Sequence, residues 1–204
     1  MDRSGLRRYY DRNAAVYDRW MASYDRVMLG SLRHRLCGLA RGRTLEVAVG
    51  TGLNLVGYPP GTELIGVDYS PEMLRVARRR VRQVDRVMHL AQADAYALPF
   101  ADASFDSVVT TLFLSSAPDP AGAVAEVSRV LRPEGSLLVV DHGRSDIAPV
   151  HLVERMVRGV LRARTGVDLS REPTEYLDRS RFRVERVERS RLGIVELVVA
   201  RRLR

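Results

Sequence analysis

Two glycines and two carboxylates stand where a nucleoside could be held. Gly50 and Gly52 follow the apolar run of residues 44–49, Asp68 closes the run of residues 64–67, and Asp94 follows the run of residues 87–91. A loop glycine lets the backbone approach a ligand closely, and an acid ending the next strand can accept hydrogen bonds from both hydroxyls of a ribose. Each residue also has a plain alternative: a glycine can serve only a turn, Asp68 can cap the helix opening at Pro71, and Asp94 can cap a turn with Tyr96. The joint placement decides, because carboxylates ending adjacent strands beside a glycine turn converge on one crevice of an open α/β sheet.

The same crevice would serve a dinucleotide, so the phosphate needs its own argument. A pyrophosphate turn reads G-x-G-x-x-G and opens a long helix. Here Leu55 stands at the third glycine, and Gly57, Pro59 and Pro60 interrupt the helix that should follow. No GK[ST] offers a Walker-type site. The stretch of residues 44–70 therefore reads as a cradle for a nucleoside without phosphate.

Composition removes other chemistries. Over 204 residues the net charge is +8, from 33 basic and 25 acidic residues, and every basic residue is Arg. Lysine Schiff bases and lysine general bases are thereby excluded. One cysteine, Cys37, forms no internal disulfide, and no CxxC pair or histidine cluster suggests a metal. The N-terminus has no apolar signal core and no run nears the roughly 20 apolar residues of a membrane span, so a cytoplasmic protein is expected. The arginines are spread along the chain. Their densest group, Arg75, Arg78, Arg79, Arg80 and Arg82, falls late in the helix from Pro71, where Arg complements the dipole. No aromatic residues interleave with it, which argues against a nucleic-acid partner.

The elements that must position these residues alternate. Residues 4–35 carry Tyr10, Ala14, Tyr17, Met21, Tyr24 and Met28 at helical spacing, as one helix or two broken near residue 23. This face either packs on the domain or forms an aromatic lid over a ligand, with Tyr9 and Trp20 adding to it. A second helix spans residues 29–39. Ser70 and Pro71 cap and start a helix carrying Met73, Leu74 and Ala77. Strands follow at residues 87–91, 105–114 and 136–140, with a helix at 121–131. Residues 149–164 are amphipathic, with an apolar side expected inward and Arg155, Arg158 and Arg162 outward. A short helix near 172–179 precedes an antiparallel hairpin turning at Gly193, whose last strand is apolar enough to be inserted in the sheet. Strands and helices in alternation indicate a parallel sheet covered on both faces.

The order of elements, with LEVAVGTGLNL, GVDYSPEML, QADAYALPF, FDSVVTTLF and AEVSRVLRPEGSLLVVDHG, resembles class I S-adenosylmethionine-dependent methyltransferases over nearly the whole chain. The nearest likeness is to the small-molecule branch of ubiquinone, menaquinone and phospholipid N-methyltransferases. The resemblance implies a Rossmann-like, doubly wound seven-stranded sheet, mostly parallel with a C-terminal antiparallel hairpin and an N-terminal helical lid. It implies one methyltransferase domain over residues 1–204: a lid at 1–40, a cofactor-binding core at 41–142, and acceptor-side helices with the hairpin at 143–204. Carried onto this sequence, the family's acid-x-Gly-x-Gly-x-Gly motif falls on Glu46, Ala48, Gly50 and Gly52, with alanine in place of the first glycine. Asp68 matches the ribose acid, Tyr69 the position beside adenine, and Asp94 with Ala95 the adenine amino side. Thr111 and Leu112 line the pocket, Met73 stands on the following helix, and Tyr10 and Tyr17 belong to the lid. The implied cofactor is S-adenosylmethionine, which has no phosphate to bind.

The expected reaction is methyl transfer to a small, apolar or amphipathic acceptor whose nucleophilic atom is not read from the sequence. An amine needs only to be neutral, whereas a phenol or thiol also needs a base. His142, beside Asp141 after the fifth strand, is the candidate base, with Tyr24 and His151 behind it; the alternative for His142 is a polar residue orienting the loop at Gly143. His34 and His89 are expected away from the site. A peripheral contact with an anionic membrane surface is a further expectation from the basic amphipathic helices. Two other readings stay open at this point, an RNA methyltransferase and a noncatalytic module that only binds S-adenosylmethionine.

Overall fold

The computed structural model describes residues 1–84, 87–190 and 192–204. Strands β1 (Arg43–Val47), β2 (Glu63–Asp68), β3 (Met88–Gln92), β4 (Phe105–Thr111) and β5 (Leu131–His142) are parallel, and β6 (Phe182–Arg189) and β7 (Val195–Arg202) close the chain. The seven form one sheet in the order β3-β2-β1-β4-β5-β7-β6. Strand β7 lies antiparallel between β5 and β6, as its apolar sequence requires of an inserted strand. Gly193, at φ +69°, makes the expected turn; Arg191, in the same predicted turn, lies outside the described residues.

Period-two alternation divides β1 between two cores. Leu45 and Val47 face a core shared with Val124 and Val127 of α4 (Pro120–Val130). The opposite face packs under α2 (Leu32–Gly38) and α3 (Pro71–Val81), with Leu36, Leu55 and Leu74 fully buried. Between β1 and β2 the chain makes only a 3₁₀ turn, Leu55–Gly57, in keeping with the interruption read at Gly57 and Pro59. Helix α2 covers that position instead. Its Cys37 Cβ would lie 2.9 Å from a Cβ at residue 57, so glycine there permits the close approach.

Helix α1 (Arg3–Tyr24) lies on the outside with Ala14 as its buried residue, and a π turn at Asp25–Leu29 ends it where the sequence pattern predicts a break. Gly30, at φ +54°, then redirects the chain into α2. Helix α5 (Ala148–Thr165) corrects an expectation. Its apolar line faces solvent, and the residue it buries is Glu154, whose Oε2 accepts the Ser145 N–H at 3.3 Å.

Candidate functional site

The site is built where β1, β2 and β4 end. Beyond Val47 the backbone turns left-handed three times, at Ala48 (φ +57°), Gly50 (+57°) and Gly52 (+80°). The turn aims the Gly50 N–H at Asp68 Oδ2, 2.8 Å away, while the Ser70 N–H reaches Asp68 Oδ1 at 2.8 Å. Ser70, not Asp68, caps α3, its Oγ accepting the Met73 N–H at 3.1 Å, and Pro71 begins the helix. Burial pushes the Asp68 pKa up to about 6, against the opposing pull of the two backbone donors.

Above this turn lies a cavity of about 100 Å³. Its floor and walls include Ala48, Gly50, Asp68, Tyr69 and Met73, with Ala95, Thr111 and Leu112 on the side of the later strands. Tyr10 and Tyr17 of α1 close it from above, their rings edge to face with centroids 6.2 Å apart. Burial pushes the Tyr10 hydroxyl pKa to about 12 and that of Tyr17 higher still, so both stay neutral. Helix α1 thus packs on the domain and covers the cavity with the same face. Trp20 departs from it, since its side chain is half exposed on the outer side.

Three of the predicted cofactor-binding residues stand outside the cavity lining. Gly52 packs on α3, where a Cβ would sit 3.5 Å from that of Ala77. Asp94 caps a turn through the Tyr96 N–H at 3.0 Å and accepts the Arg3 Nη1 at 3.0 Å. Glu46 lies beneath the turn, accepting Tyr58 Oη at 2.7 Å and Asn54 Nδ2 at 2.8 Å, and burial pushes its pKa up to about 7. It borders a smaller, adjoining cavity with Arg33, Thr51 and Asn54. Arg33 donates to Asn54 Oδ1 at 2.6 Å and forks onto both oxygens of Asp25.

Sequence reasoning missed several groups here. Asp18 accepts Thr51 Oγ1 and Arg80 Nη2, each at 2.6 Å, and Asp11 accepts Ser70 Oγ at 2.5 Å. These bonds latch the lid to the glycine turn and to α3. A seven-residue spacing puts Asp11 and Asp18 on one line of α1, about 100° around the helix from Tyr10 and Tyr17, a signal that was available. Arg33 and Asn54 carried none, because only the tertiary fold brings α2 to the turn.

His142 and Tyr24 are brought to each other, with Tyr24 Oη 3.1 Å from His142 Nδ1, but neither lines the cavity. Burial lowers the pKa of His142 and raises that of Tyr24. Asp141 does not orient the imidazole. Its carboxylate accepts the backbone N–H groups of Leu114 (2.6 Å), Ser115 (3.3 Å) and His142 (2.7 Å), fixing the loop after β4. His151 approaches Glu154, and His34 and His89 are exposed away from the site. Among the described residues no group of three or more His, Cys, Asp or Glu could hold a metal.

A family model described as a methyltransferase domain matches residues 45–139. The phosphatidylethanolamine N-methyltransferase of Cereibacter sphaeroides is 41% identical over 116 residues, 56% of this chain and 57% of that protein. The demethylmenaquinone methyltransferase of Thermus thermophilus is 39% identical over 102 residues, 48% of this chain and 46% of the relative. The chain thus spans about half the length of the curated relatives it matches. An S-adenosylmethionine-dependent methyltransferase structure from Methanosarcina mazei, 25% identical, superposes with a TM-score of 0.64 over 79% of this chain and 92% of its own. Residues 45–139 thus match a methyltransferase domain, and the Methanosarcina neighbour is S-adenosylmethionine-dependent. The crevice fits that cofactor on its own terms: a Cβ at Gly50 would meet no atom within 4 Å, leaving the turn open above a carboxylate held by two backbone donors.

Proposed function

We propose that this protein transfers a methyl group from S-adenosylmethionine to a small apolar or amphipathic acceptor of lipid or quinone type. The observation that carries the reading is Asp68, fixed by the Gly50 and Ser70 N–H groups beneath the Tyr10–Tyr17 lid. Each of its oxygens keeps a lone pair for a ribose hydroxyl. Tyr69 and Ala95 flank the space for the base, Asp94 stands at its edge, and Gly50 lets the chain run close to the methionine part. The adjoining cavity, bordered by Arg33 and Glu46, extends the site on the side of the glycine turn. When bound, the cofactor supplies a methyl activated by its sulfonium.

The chain's own part is to position the acceptor and exclude water. The lid latches at Asp11 and Asp18 close the cavity, and alignment in a dry site is the main source of acceleration for such a transfer. The tyrosines lining the cavity are held neutral by burial, and Asp68 is committed to its donors. The lining therefore suits a nucleophile that brings its own lone pair, a neutral amine before a protonated phenol or thiol. The relatives named for phosphatidylethanolamine and demethylmenaquinone support an acceptor of this size and polarity.

The division into a lid at residues 1–40, a cofactor core at 41–142 and an acceptor side at 143–204 belongs to the same proposal. So do action in the cytoplasm, which suits the buried free Cys37, and peripheral contact with an anionic membrane. No described helix is long and apolar enough to cross a membrane. Calorimetry with S-adenosylmethionine and its demethylated product, followed by a labelled-methyl screen over aminolipids and demethylated quinones, tests the reading. Binding of both ligands and labelling of one acceptor are expected; failure of both ligands to bind would sink it.

A further inference from the structure

Helix α5 presents to water the side that a surface helix ordinarily buries. Leu152, Val153, Met156, Val157 and Val160 are between 44% and 74% exposed. At about 100° per residue they fall in one arc, with Arg155, Arg158 and Arg162 on the other side. Single exposed aliphatic residues need no explanation, but a continuous row marks a contact surface.

The charges around the row identify what covers it. Glu154, the acid of this helix, is turned inward, so its outer surface carries arginine without compensating acid. Arg162 is 3.4 Å from Asp168, whereas Arg155, Arg158 and Arg164 form no ion pair with a described residue. Arg164 also shares an open groove with Arg8 and Arg12 of α1, whose side chains bond only to Ser4 Oγ and a backbone carbonyl. Three guanidiniums thus border one groove at the end of the apolar row, on a chain of net charge +8.

We propose that α5 docks this protein on an anionic phospholipid surface. The apolar row enters the boundary between headgroups and acyl chains, and Arg155, Arg158 and the Arg8–Arg12–Arg164 groove meet lipid phosphates. A second copy of the chain would bring two such arginine sets together on molecules that already repel. An anionic bilayer satisfies the apolar row and the arginines at once. The groove lies on the lid helix whose Leu6, Arg7 and Tyr10 line the cofactor cavity, so docking places the cavity beside the lipid. The inference deepens the peripheral contact proposed above and rests on that reading for the origin of the acceptor, while docking itself does not depend on methyl transfer.

Flotation of the full chain with vesicles of phosphatidylcholine alone, and of phosphatidylcholine mixed with phosphatidylglycerol, tests it. Binding to the mixed vesicles alone is expected, weakening as salt rises. Met156→Glu with Val160→Glu should reduce partition by roughly tenfold or more. Arg155→Gln with Arg158→Gln should reduce it about fivefold per arginine. Calorimetry should show unchanged S-adenosylmethionine affinity in both variants. Partition unaffected by Met156→Glu and Val160→Glu, or indifferent to lipid charge, would overturn the proposal. So would a dimer in sedimentation equilibrium that those two substitutions dissolve, since the face would then belong to a second copy. Loss of cofactor binding in the unaltered chain would instead strike the methyltransferase reading and leave the docking result standing.

Discussion

Ala48 and Leu112 sit just past the ends of the neighbouring strands β1 and β4, both are left-handed (φ +57° and +55°), and both line the cofactor cavity. Non-glycine residues avoid this region because Cβ crowds the carbonyl that follows it. The surrounding hydrogen bonds hold them there: Val49 N–H to the Val67 carbonyl at 2.9 Å, and Leu112 N–H to the Val140 carbonyl at 2.7 Å. Strain of this kind collects where a backbone is bent to face a ligand.

Ala48→Gly should therefore stabilise the protein. Relief of the left-handed alanine is worth about 1–2 kcal/mol, offset by about 0.4–1 kcal/mol of added freedom in the unfolded chain. A net gain of about 0.5–1 kcal/mol should appear as a higher urea midpoint. A lower midpoint would mean that the alanine methyl makes packing contacts that outweigh its strain.

Asp68 sets stability against binding. Its folded pKa, about 6, lies above the unreacted value of 3.8, so between those values the folded state holds a proton that the unfolded chain releases. The stability this provides is full below about pH 4 and lost as pH rises through 6; Glu46, raised to about 7, acts in the same direction. Asp68→Asn removes the charge but keeps one acceptor oxygen for two backbone donors, so it should gain at most about 1–2 kcal/mol at pH 8 and lose stability at pH 4. Cofactor affinity runs the other way if, as proposed, the ionised carboxylate accepts the ribose hydroxyls, and should then fall by up to about tenfold per pH unit below 6. Calorimetry across pH 5–8 would contradict this if affinity stayed flat.

Asp18 joins the lid to two parts of the core at once, through Thr51 on the glycine turn and Arg80 on α3. The Asp18–Arg80 contact is a partly exposed ion pair, and such a pair contributes at most about 1 kcal/mol. Asp18→Ala should thus cost little global stability yet loosen α1. Faster amide exchange over residues 10–24 and a severalfold faster release of S-adenosylmethionine are the expected outcomes. Unchanged exchange in α1 would show that the tyrosine packing alone holds the lid.

What could be read in advance was what depends on neighbours in sequence. The turn at Gly50, the carboxylate ending β2 and the Ser70–Pro71 helix start each follow from a few adjacent residues, and their order announced the sheet. The Arg33–Asn54–Glu46 chain did not, since it joins α2 to the turn across 21 residues with no local pattern. The orientation of α5 failed for a different reason. Periodicity shows that a helix has an apolar side, but which side turns inward is decided by tertiary packing, and here the apolar side of α5 stays exposed. Asp94 was legible as a site acid, yet its hydrogen bonds go to Tyr96 and Arg3, the turn-capping alternative that the sequence also offered.

The Tyr24–His142 pair discriminates between a base and a strut. Its two groups are 3.1 Å apart, joining the end of the lid helix to the end of β5, outside the cavity lining. Burial lowers the His142 pKa below its usual 6.5, so the unfolded state takes up a proton first as pH falls. Stability from this group is therefore present above pH 6.5 and declines on acidification below it, opposite to Asp68. Tyr24→Phe removes one partly buried hydrogen bond and should cost about 1 kcal/mol. Turnover on an amine acceptor should stay within about threefold of the unaltered enzyme, because loss of a general base costs roughly a hundredfold or more. The same holds for His142→Gln, which keeps a hydrogen-bonding side chain at that position. A pH–rate profile that loses its acidic limb in His142→Gln, with turnover down a hundredfold, would return the imidazole to the chemistry and require the lid to move it toward the cavity when the acceptor binds.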